Sequence, residues 1–387
     1  MNILIVGYAY IKRNYFNTFR SYSNKHRLFF LLPRRWKAKG GKLAFYPPEE
    51  ENILKTNFFF SHSHFPLMGG VLKGWAPSLP LFLLRKKYHL IYSSSEPILL
   101  TTLYNGFWAK LFRAKHVFFT WENVAYEKKF SGLNLILKNI IIRLNIKLAD
   151  GVICGNIKSR EIFEKLTNKP TGVIPLSGVD IDFFHKIKSD FLSRYNLQGK
   201  FIFTFAGAIG YRKGIHLILQ ALERILGKVP NAHLIIAGSG EYEENLKFKI
   251  ENLKLKEYVT FMPWLDSAGL RELLSVSDIF LYPSISYGGW EEQFGYSMAE
   301  ASLMELPVIA TRSGSIEDII LDGKTGLLVE PNNVEHLYNA MVRLAENQDL
   351  RKELGANGRK FISENYSYKV VADKFYNFFN TICKFYI

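Results

Sequence analysis

Short apolar segments alternate with segments of helical periodicity along most of the chain, and this alternation constrains the fold more than any other feature of the sequence. In the second half, we predict strands over residues 201–205, 233–237, 259–261, 279–282 and 308–310, with the last closing the series. Helices are predicted between them, over about 214–226, 243–252, 268–275 and 296–304. Strands that alternate with helices of this length pair in parallel through right-handed crossovers. The second half therefore predicts a doubly wound parallel sheet.

The first half shows the same alternation with more continuous apolar runs. Its predicted strands are residues 3–6, 28–32, 58–60, 90–93, 117–120, 152–154 and 173–174. Uninterrupted apolar strands are typical of sheets that are covered on both faces. The fold class is therefore α/β, with two doubly wound Rossmann-like domains.

The pattern breaks between Pro175 and Lys200, where glycine and charged residues interrupt it. We place a first domain at residues 1–186 and a second at 187–366. Residues 367–387 carry apolar side chains at helical spacing and predict a C-terminal helix that packs back on the first domain. The stripe consists of Val371, Phe375, Phe378 and Ile382.

The positive charge of the chain lies in its first half. The formal net charge is +15, yet residues 1–186 hold 28 Lys and Arg against 11 Asp and Glu. Such a surface meets an anionic partner: lipid, nucleic acid or a phosphorylated substrate. Taken singly, a basic run around Trp36 (residues 34–42) suits a solvated loop, and an amphipathic segment over 133–148 suits a core-packing helix. Together with the charge of the half-chain, they favour an anionic membrane surface.

The chain shows no apolar run of 18 residues, and its first residues lack the layout of a signal peptide. Its two cysteines, Cys154 and Cys383, are too few for a disulfide framework. We therefore expect a cytoplasmic protein that is peripheral on the inner membrane face. Asp180 and Asp182 have the spacing of a metal-binding Asp-x-Asp but lie in the stretch between the domains, and His62 and His64 have no third ligand nearby, so no metal site is predicted.

Three loops that follow strands carry the candidate chemistry. The stretch WEEQFGYSMAEASLMELPVIAT (290–311) places Glu292 before a helix that opens at Gly295, with Glu300 inside that helix. A helix N-terminus attracts anions, and a carboxylate in such a crevice accepts hydrogen bonds from sugar or ribose hydroxyls. The loop AGAIGYRKGI (206–215) sets Arg212 and Lys213 at a second helix start. Taken singly, these features also suit surface glutamates and tight turns.

Together, and in this order, the segments AGAIGYRKG, LIIAGSGE and EEQFGYSMAEA resemble the donor-binding domain of family 4 glycosyltransferases with the GT-B fold. The resemblance covers residues 201 to about 331. It implies two domains with an interdomain cleft, and a retaining hexosyltransferase that uses a nucleotide-sugar, UDP- or GDP-linked. The acceptor would be a glycan, a lipid-linked sugar or a cell-surface polysaccharide precursor. Neither a metal nor another cofactor is implied.

The resemblance also implies roles for single residues. Glu292 would contact hydroxyls of the transferred sugar, and Glu300 would bind the ribose. Lys213 would lie on the diphosphate. The family often has an arginine directly after Gly207; Ala208 stands there, and Arg212 is the candidate replacement.

Further contacts would come from the main chain and from the first domain. Backbone groups expected at the donor belong to Gly207, Gly238, Met262, Phe294, Gly295 and Tyr296. In the first domain, Glu122 follows the strand at 117–120 and is a candidate for the reaction centre, and Gly7 is a candidate phosphate contact.

Two other functions fit parts of the sequence. A nucleotide-sugar epimerase of similar fold would share the donor site, although we find no acid and base pair for it. A nucleic-acid or polyanion-binding protein would explain the basic first half, with its tyrosines among lysines and arginines, but not the second half.

Overall fold

The computed structural model describes residues 1–22, 26–37, 44–58 and 72–384. The chain divides into two compact units. The first comprises Met1–Gly178 together with the C-terminal segment from Tyr368, and the second comprises Val179–Ser367.

Fifteen strands and thirteen α-helices are assigned within these ranges. The strands are β1 Asn2–Val6, β2 Arg27–Pro33, β3 Trp36–Lys37, β4 Ala44–Phe45, β5 Ile53–Thr56, β6 Leu90–Ser93, β7 Lys115–Thr120, β8 Gly151–Cys154, β9 Thr171–Val173, β10 Phe201–Ala206, β11 Ala232–Ala237, β12 Val259–Met262, β13 Ile279–Tyr282, β14 Val308–Thr311 and β15 Gly326–Val329. The helices are α1 Arg13–Arg20, α2 Leu79–Arg85, α3 Leu100–Leu111, α4 Gly132–Leu148, α5 Ile157–Glu164, α6 Phe191–Arg194, α7 Ile215–Ile225, α8 Glu243–Asn252, α9 Ser267–Ser275, α10 Tyr296–Leu303, α11 Val334–Glu346, α12 Gln348–Tyr366 and α13 Tyr368–Cys383.

The first unit is built on a seven-stranded parallel sheet of order β5-β2-β1-β6-β7-β8-β9. Successive side chains of a strand point to opposite faces. Ile3 and Ile5 therefore pack in the core that includes α1 and α13, while Leu4 and Val6 pack under α2 and α3. Burial of both faces explains why these strands read as continuous apolar runs.

The C-terminal helix α13 is part of the first unit's core. Its buried face includes Phe375, Phe379 and Ile382, and the ring of Phe375 lies 5.1 Å from that of Phe19 in α1.

The break between the units falls at Gly178, before the expected boundary at Lys186. Residues after Gly178 are held by the second unit. The Val179 N–H donates to Tyr366 O at 2.8 Å, and the Arg359 guanidinium donates to the carbonyl of Phe184.

The second unit is built on a six-stranded parallel sheet of order β12-β11-β10-β13-β14-β15. The five predicted strands are present with bounds within a residue of those expected. The expectation that residues 308–310 close the series is wrong, because β15 pairs in parallel with β14 and two helices, α11 and α12, follow it. The predicted fold class, two parallel-sheet Rossmann-like units, is confirmed.

The edge strand of the first sheet is β5, Ile53–Thr56, which the sequence did not predict. Of the strand predicted over residues 58–60, Phe58 lies outside any strand, and residues 59 and 60 lie outside the described residues. His62, His64 and residues 38–42 of the basic run also lie outside them. No helix within the described ranges has the length and apolar composition that crossing a bilayer needs.

Candidate functional site

The carboxyl ends of four neighbouring strands, β12, β11, β10 and β13, bring most of the predicted donor-site residues to one edge of the second sheet. Gly207 follows β10, Gly238 follows β11, and Met262 ends β12. Hydrogen bonds join these loops: the Gly207 N–H donates to Ala237 O at 3.0 Å and the Gly238 N–H to Met262 O at 3.1 Å. In open α/β sheets, ligands bind at this edge.

Two glycines allow these loops to approach each other closely. A Cβ on Gly238 would lie 1.9 Å from Gly207 O, and Gly238 has φ +152°. A Cβ on Gly214, with φ +67°, would lie 1.9 Å from Pro283 O. Gly214 thereby lets the start of α7 lie against the end of β13, and it places the preceding Lys213 beside the loop that carries Glu292.

Lys213 and Glu292 form a buried ion pair. Only 6% of Lys213 and 5% of Glu292 is exposed. The Lys213 ammonium donates to Glu292 Oε2 and, at 2.6 Å, to the Tyr282 hydroxyl. The same oxygen of Glu292 accepts from the Tyr282 hydroxyl at 2.9 Å and from Ser284 Oγ at 3.1 Å. Two residues expected to contact different parts of the donor therefore contact each other.

The electrostatics of this cluster follow from burial and pairing. Burial alone would raise the pKa of the Glu292 carboxyl, but the Lys213 ammonium, the Tyr282 hydroxyl and the Arg212 guanidinium together outweigh it and lower that pKa below its usual value. Burial lowers the pKa of the Lys213 ammonium, and Glu292 offsets part of that effect. Glu292 is thus an ionised carboxylate whose charge is neutralised within the protein.

Arg212 supplies positive charge at the same edge. Its guanidinium lies 3.4 Å from the centre of the Trp290 ring, in a cation–π contact. Its buried Nη1 has no hydrogen-bond partner among the described residues. A guanidinium that is held over a ring, with a donor unused, is suited to an oxyanion.

The loop after Glu292 leads into α10, where Gly295 caps the helix with φ +80°. The first N–H groups of an α-helix have no acceptor within the helix and carry its positive dipole end. Phe294 and Tyr296 flank Gly295, and the Phe294 ring is buried against those of Tyr296 and Tyr366.

Glu300 lies in the second turn of α10. Its side chain is partly exposed, and desolvation raises the pKa of its carboxyl to about 8. Within the described part of the chain, this carboxyl has no hydrogen-bond donor. The raised pKa and the unused acceptors are the properties of a group that hydroxyls of a ligand would satisfy.

Sequence reasoning missed Tyr282, Ser284 and Trp290 in this site. Tyr282 ends β13 and Ser284 follows it, so their place at a strand end was a usable signal. Trp290 is the first residue of the quoted motif, but only the structure shows that its ring contacts the Arg212 guanidinium.

The carboxyl edge of the first sheet carries a cavity of about 510 Å³. Its polar lining includes Lys12, Lys73 and Glu96, and its aromatic lining is Tyr8, Tyr15, Trp36, Phe119 and Trp121. Lys12 Nζ lies 5.6 Å from the centre of the Trp36 ring. Flat aromatic faces beside polar groups suit the two sides of a sugar ring.

Glu96 is the carboxyl of this cavity, and sequence reasoning did not single it out. It accepts hydrogen bonds from Thr120 Oγ1 at 2.7 Å and from the Trp121 N–H at 2.8 Å. Burial raises the pKa of Glu96 to about 7, although these two hydrogen bonds act in the opposite direction. Its position after β6, in the segment SSSEP, was the available signal.

The two candidates of the first unit, Glu122 and Gly7, are not among the residues that line this cavity. Glu122 is buried and forms an ion pair with Lys129 at 2.5 Å, and it does not line the described cavity. Glu96 is the carboxyl that lines this cavity. The Gly7 N–H donates to Leu31 O at 3.4 Å, so the loop after β1 contributes to the cavity through Tyr8 rather than through this amide.

Metal-ligand clusters of three or more His, Cys, Asp or Glu side chains are absent from the described residues. Asp180, one of the two aspartates considered for a metal, accepts a hydrogen bond from the Phe183 N–H at 3.0 Å.

The sequence of the second unit matches a known family model. Residues 189–361 match the model described as "Glycosyl transferases group 1". This match includes the whole Lys213–Glu292 cluster and Glu300.

Curated relatives share about a quarter of their residues with the chain over the aligned part. The GDP-mannose-dependent alpha-(1-6)-phosphatidylinositol monomannoside mannosyltransferase of Mycolicibacterium smegmatis is 28% identical over 197 residues, which are 50% of this chain and 52% of that protein. The capsular polysaccharide biosynthesis glycosyltransferase CapM of Staphylococcus aureus is 25% identical over 210 residues, 54% of each chain. The chain spans about half the length of the curated relatives it matches.

Solved structures share the fold of the chain. Alr3699/HepE of Anabaena, solved in complex with UDP-glucose, has a TM-score of 0.75 at 20% identity, covering 98% of this chain and 100% of that one. A glycosyltransferase of Rickettsia africae has a TM-score of 0.74 at 19% identity, covering 99% and 98%. These similarities show a common two-domain α/β fold.

Proposed function

We propose that the chain is a glycosyltransferase that binds a nucleotide-sugar at the carboxyl edge of the second sheet. One observation carries the proposal: the segments that follow the adjacent strands β10 and β13 carry, at one edge of the sheet, an unpartnered guanidinium nitrogen, a helix N-terminus and a carboxyl without donors. These groups match a diphosphate and ribose hydroxyls, and they lie in the segment that matches the group 1 glycosyl transferase model. Relatives named for UDP- and GDP-linked sugars support this donor class.

The proposed roles differ in one respect from those implied by the sequence. The Lys213 ammonium is neutralised by Glu292, so the charge available to the departing diphosphate comes from Arg212 and the N-terminus of α10. Positive groups fixed where negative charge develops contribute the largest share of many rate enhancements. Lys213 and Glu292 then hold the sugar side of the site through Tyr282 and Ser284.

We assign the acceptor to the cavity of the first unit. Its aromatic faces take the sugar, and Lys12 and Lys73 favour an acceptor that carries negative charge, such as a phosphate. Glu96 accepts a hydrogen bond from an acceptor hydroxyl. A lipid-linked or polysaccharide precursor has this chemistry, and the names of the curated relatives include both phosphatidylinositol monomannoside and capsular polysaccharide.

For the chemical step, we propose retention without a protein nucleophile. Glu292 is buried and bonded to Lys213, Tyr282 and Ser284, which leaves it unsuited to attack the anomeric carbon. The C–O bond to the nucleoside diphosphate breaks, the acceptor oxygen bonds to the anomeric carbon, and its proton passes to the departing phosphate oxygen. No metal is assigned to this step.

The test is donor turnover. The chain is incubated separately with UDP-glucose and with GDP-mannose, with and without a lipid extract as acceptor, and released nucleoside diphosphate is measured. We expect release from one donor class, an acceptor-dependent increase, and at least a tenfold loss with Arg212→Ala. Glu251→Gln, on the exposed end of α8, is the control. Conversion of the donor's sugar without release of diphosphate would instead identify an epimerase.

A further inference from the structure

The helix α4 buries two polar side chains beside Ile142 and leaves a stripe of large apolar side chains exposed. Lys138 and Asn145 point inward: Lys138 is 7% exposed with Nζ 5.4 Å from the Phe130 ring centre, and Asn145 is fully buried with Nδ2 donating to Pro97 O at 2.8 Å. Large apolar side chains point outward along one stripe, at positions i, i+3, i+4, i+7 and i+11. They are Leu133, Ile136, Leu137, Ile140 and Leu144, each between 42% and 67% exposed.

The two helices that precede α4 on this face of the first sheet extend the apolar surface. The inner sides of α2 and α3 pack over Leu4 and Val6 in the core of the first unit, and α3 contacts both α2 and α4. The outer sides of α2 and α3 expose four large apolar side chains, each 54–71% exposed: Leu81, Leu84, Phe107 and Leu111. We call the outward side of α2, α3 and α4 the three-helix face. An apolar surface of this kind marks an interaction site.

The charge of the three-helix face identifies its partner. Residues 79–87, 100–113 and 132–148 contain eight Lys and Arg and no Asp or Glu. Six of these cations are exposed and form no ion pair with the described residues: Arg85, Lys86, Lys87, Arg113, Arg143 and Lys147. Exposed Leu, Ile and Phe bordered by cations are typical of surfaces that lie in the interface of an anionic bilayer.

A cavity of about 620 Å³ adjoins the face at the end of α2. Leu83, Leu84 and Phe112 form apolar parts of its wall, and Lys86, Lys87 and Arg113 line it as well. Apolar walls with cations at the same opening match an amphipathic molecule with an anionic headgroup.

We propose that the three-helix face docks the chain on an anionic lipid bilayer, with its apolar stripe among the acyl chains and its cations at the phosphates. This surface contains the amphipathic segment 133–148 considered from the sequence and extends it over α2 and α3; the basic run at residues 34–42 is not part of it. The proposal does not depend on glycosyl transfer, and its test needs no activity.

The test is flotation of the full chain with vesicles of phosphatidylcholine alone or with about 30% phosphatidylglycerol. We expect binding to the anionic vesicles only. Ile136→Ser/Ile140→Ser should weaken partitioning by about tenfold per substitution, and Lys87→Ala/Arg143→Ala by roughly fivefold per charge. Phe248→Ser, an equally exposed apolar position of the second unit, is the matched control and should bind as the wild type does.

Melting temperatures close to that of the wild type would show that the variants fold, because all four substituted side chains are exposed. Equal flotation of all variants, or no flotation of the wild type, would overturn the proposal. So would a lipid-free dimer that Ile136→Ser/Ile140→Ser converts to a monomer, since a second copy would then cover the face. Binding of a single-stranded oligonucleotide that only the charge variant loses would assign the cations to nucleic acid.

Discussion

The Lys213–Glu292 pair gives a sharp test of how the site is held together. Removing one partner leaves the other as an uncompensated buried charge, which costs about 3–5 kcal/mol. For a unit of this size, 1 kcal/mol corresponds to about 2–4 °C in melting temperature. We therefore expect Lys213→Met and Glu292→Gln each to lower the melting temperature by about 6–20 °C.

The double variant separates pairing from simple loss of contacts. Lys213→Met/Glu292→Gln removes both charges, and its remaining cost is that of lost hydrogen bonds to Tyr282 and Ser284. It should be more stable than either single variant, with a coupling free energy of at least about 2 kcal/mol. Thermal unfolding followed by circular dichroism gives all three values.

The two single variants should respond to pH in opposite directions. In Lys213→Met, burial without the ammonium raises the folded-state pKa of Glu292 above its unfolded value. The destabilisation by this buried carboxylate therefore grows as pH rises from the unfolded pKa of about 4.3, and it disappears as pH falls to that value. In Glu292→Gln, the folded-state pKa of Lys213 falls, so the penalty is present at neutral pH and shrinks as pH rises toward 10. Additive single costs with no opposite pH response would refute a buried ion pair.

Three further predictions concern other parts of the molecule. The Glu96 pKa of about 7 lies above the unfolded value, so ionisation of Glu96 destabilises the fold as pH rises from about 4.3 toward 7. Between pH 5 and pH 8, the free energy of unfolding of Glu96→Gln, measured by chemical denaturation, should therefore rise by up to about 3 kcal/mol relative to that of the wild type. A difference between the two proteins that does not change with pH would contradict this. Gly214→Ala should lower the free energy of unfolding by about 2–4 kcal/mol. The control Gly323→Ala, where φ is also positive but no atom lies near the added methyl group, should lower it by about 1 kcal/mol. Equal melting temperatures of the two variants would exclude the close approach of Gly214 to Pro283. Phe375→Ala should destabilise the first unit by about 3–5 kcal/mol, and an unchanged denaturation midpoint would show that α13 does not support that core.

The second sheet was the more predictable part of the fold. Its central strands are buried on both faces and flanked by helices of regular period, so residues 279–282 were predicted with their observed bounds. The edge strand of the first sheet was less predictable. At β5 the polar Lys55 is tolerated because the strand is at the edge, while the more apolar residues 58–60 are a stronger strand signal in the sequence.

The candidate site likewise has a part that the sequence predicts and a part that it does not. A motif with a fixed spacing identified Glu292, Gly295 and Glu300, because strand, loop and helix start are contiguous in the sequence. The pairing of Lys213 with Glu292 joins residues 79 positions apart and depends on how two loops meet, which periodicity does not encode. For the same reason, the sequence indicated Glu122 in the first unit, while the folded chain places Glu96 in the cavity.

The most direct test of the donor site is calorimetric titration of the full chain with UDP-glucose, GDP-mannose and an ADP-sugar. We expect one class to bind with 1:1 stoichiometry. Glu300→Gln should weaken binding by about tenfold, since it removes an acceptor for the ribose hydroxyls, whose hydrogen bonds are worth about 1.5 kcal/mol. Glu251→Gln should bind as the wild type does. Absence of binding by all three donors, or equal affinity of Glu300→Gln and wild type, would contradict a donor site at the carboxyl edge of the second sheet.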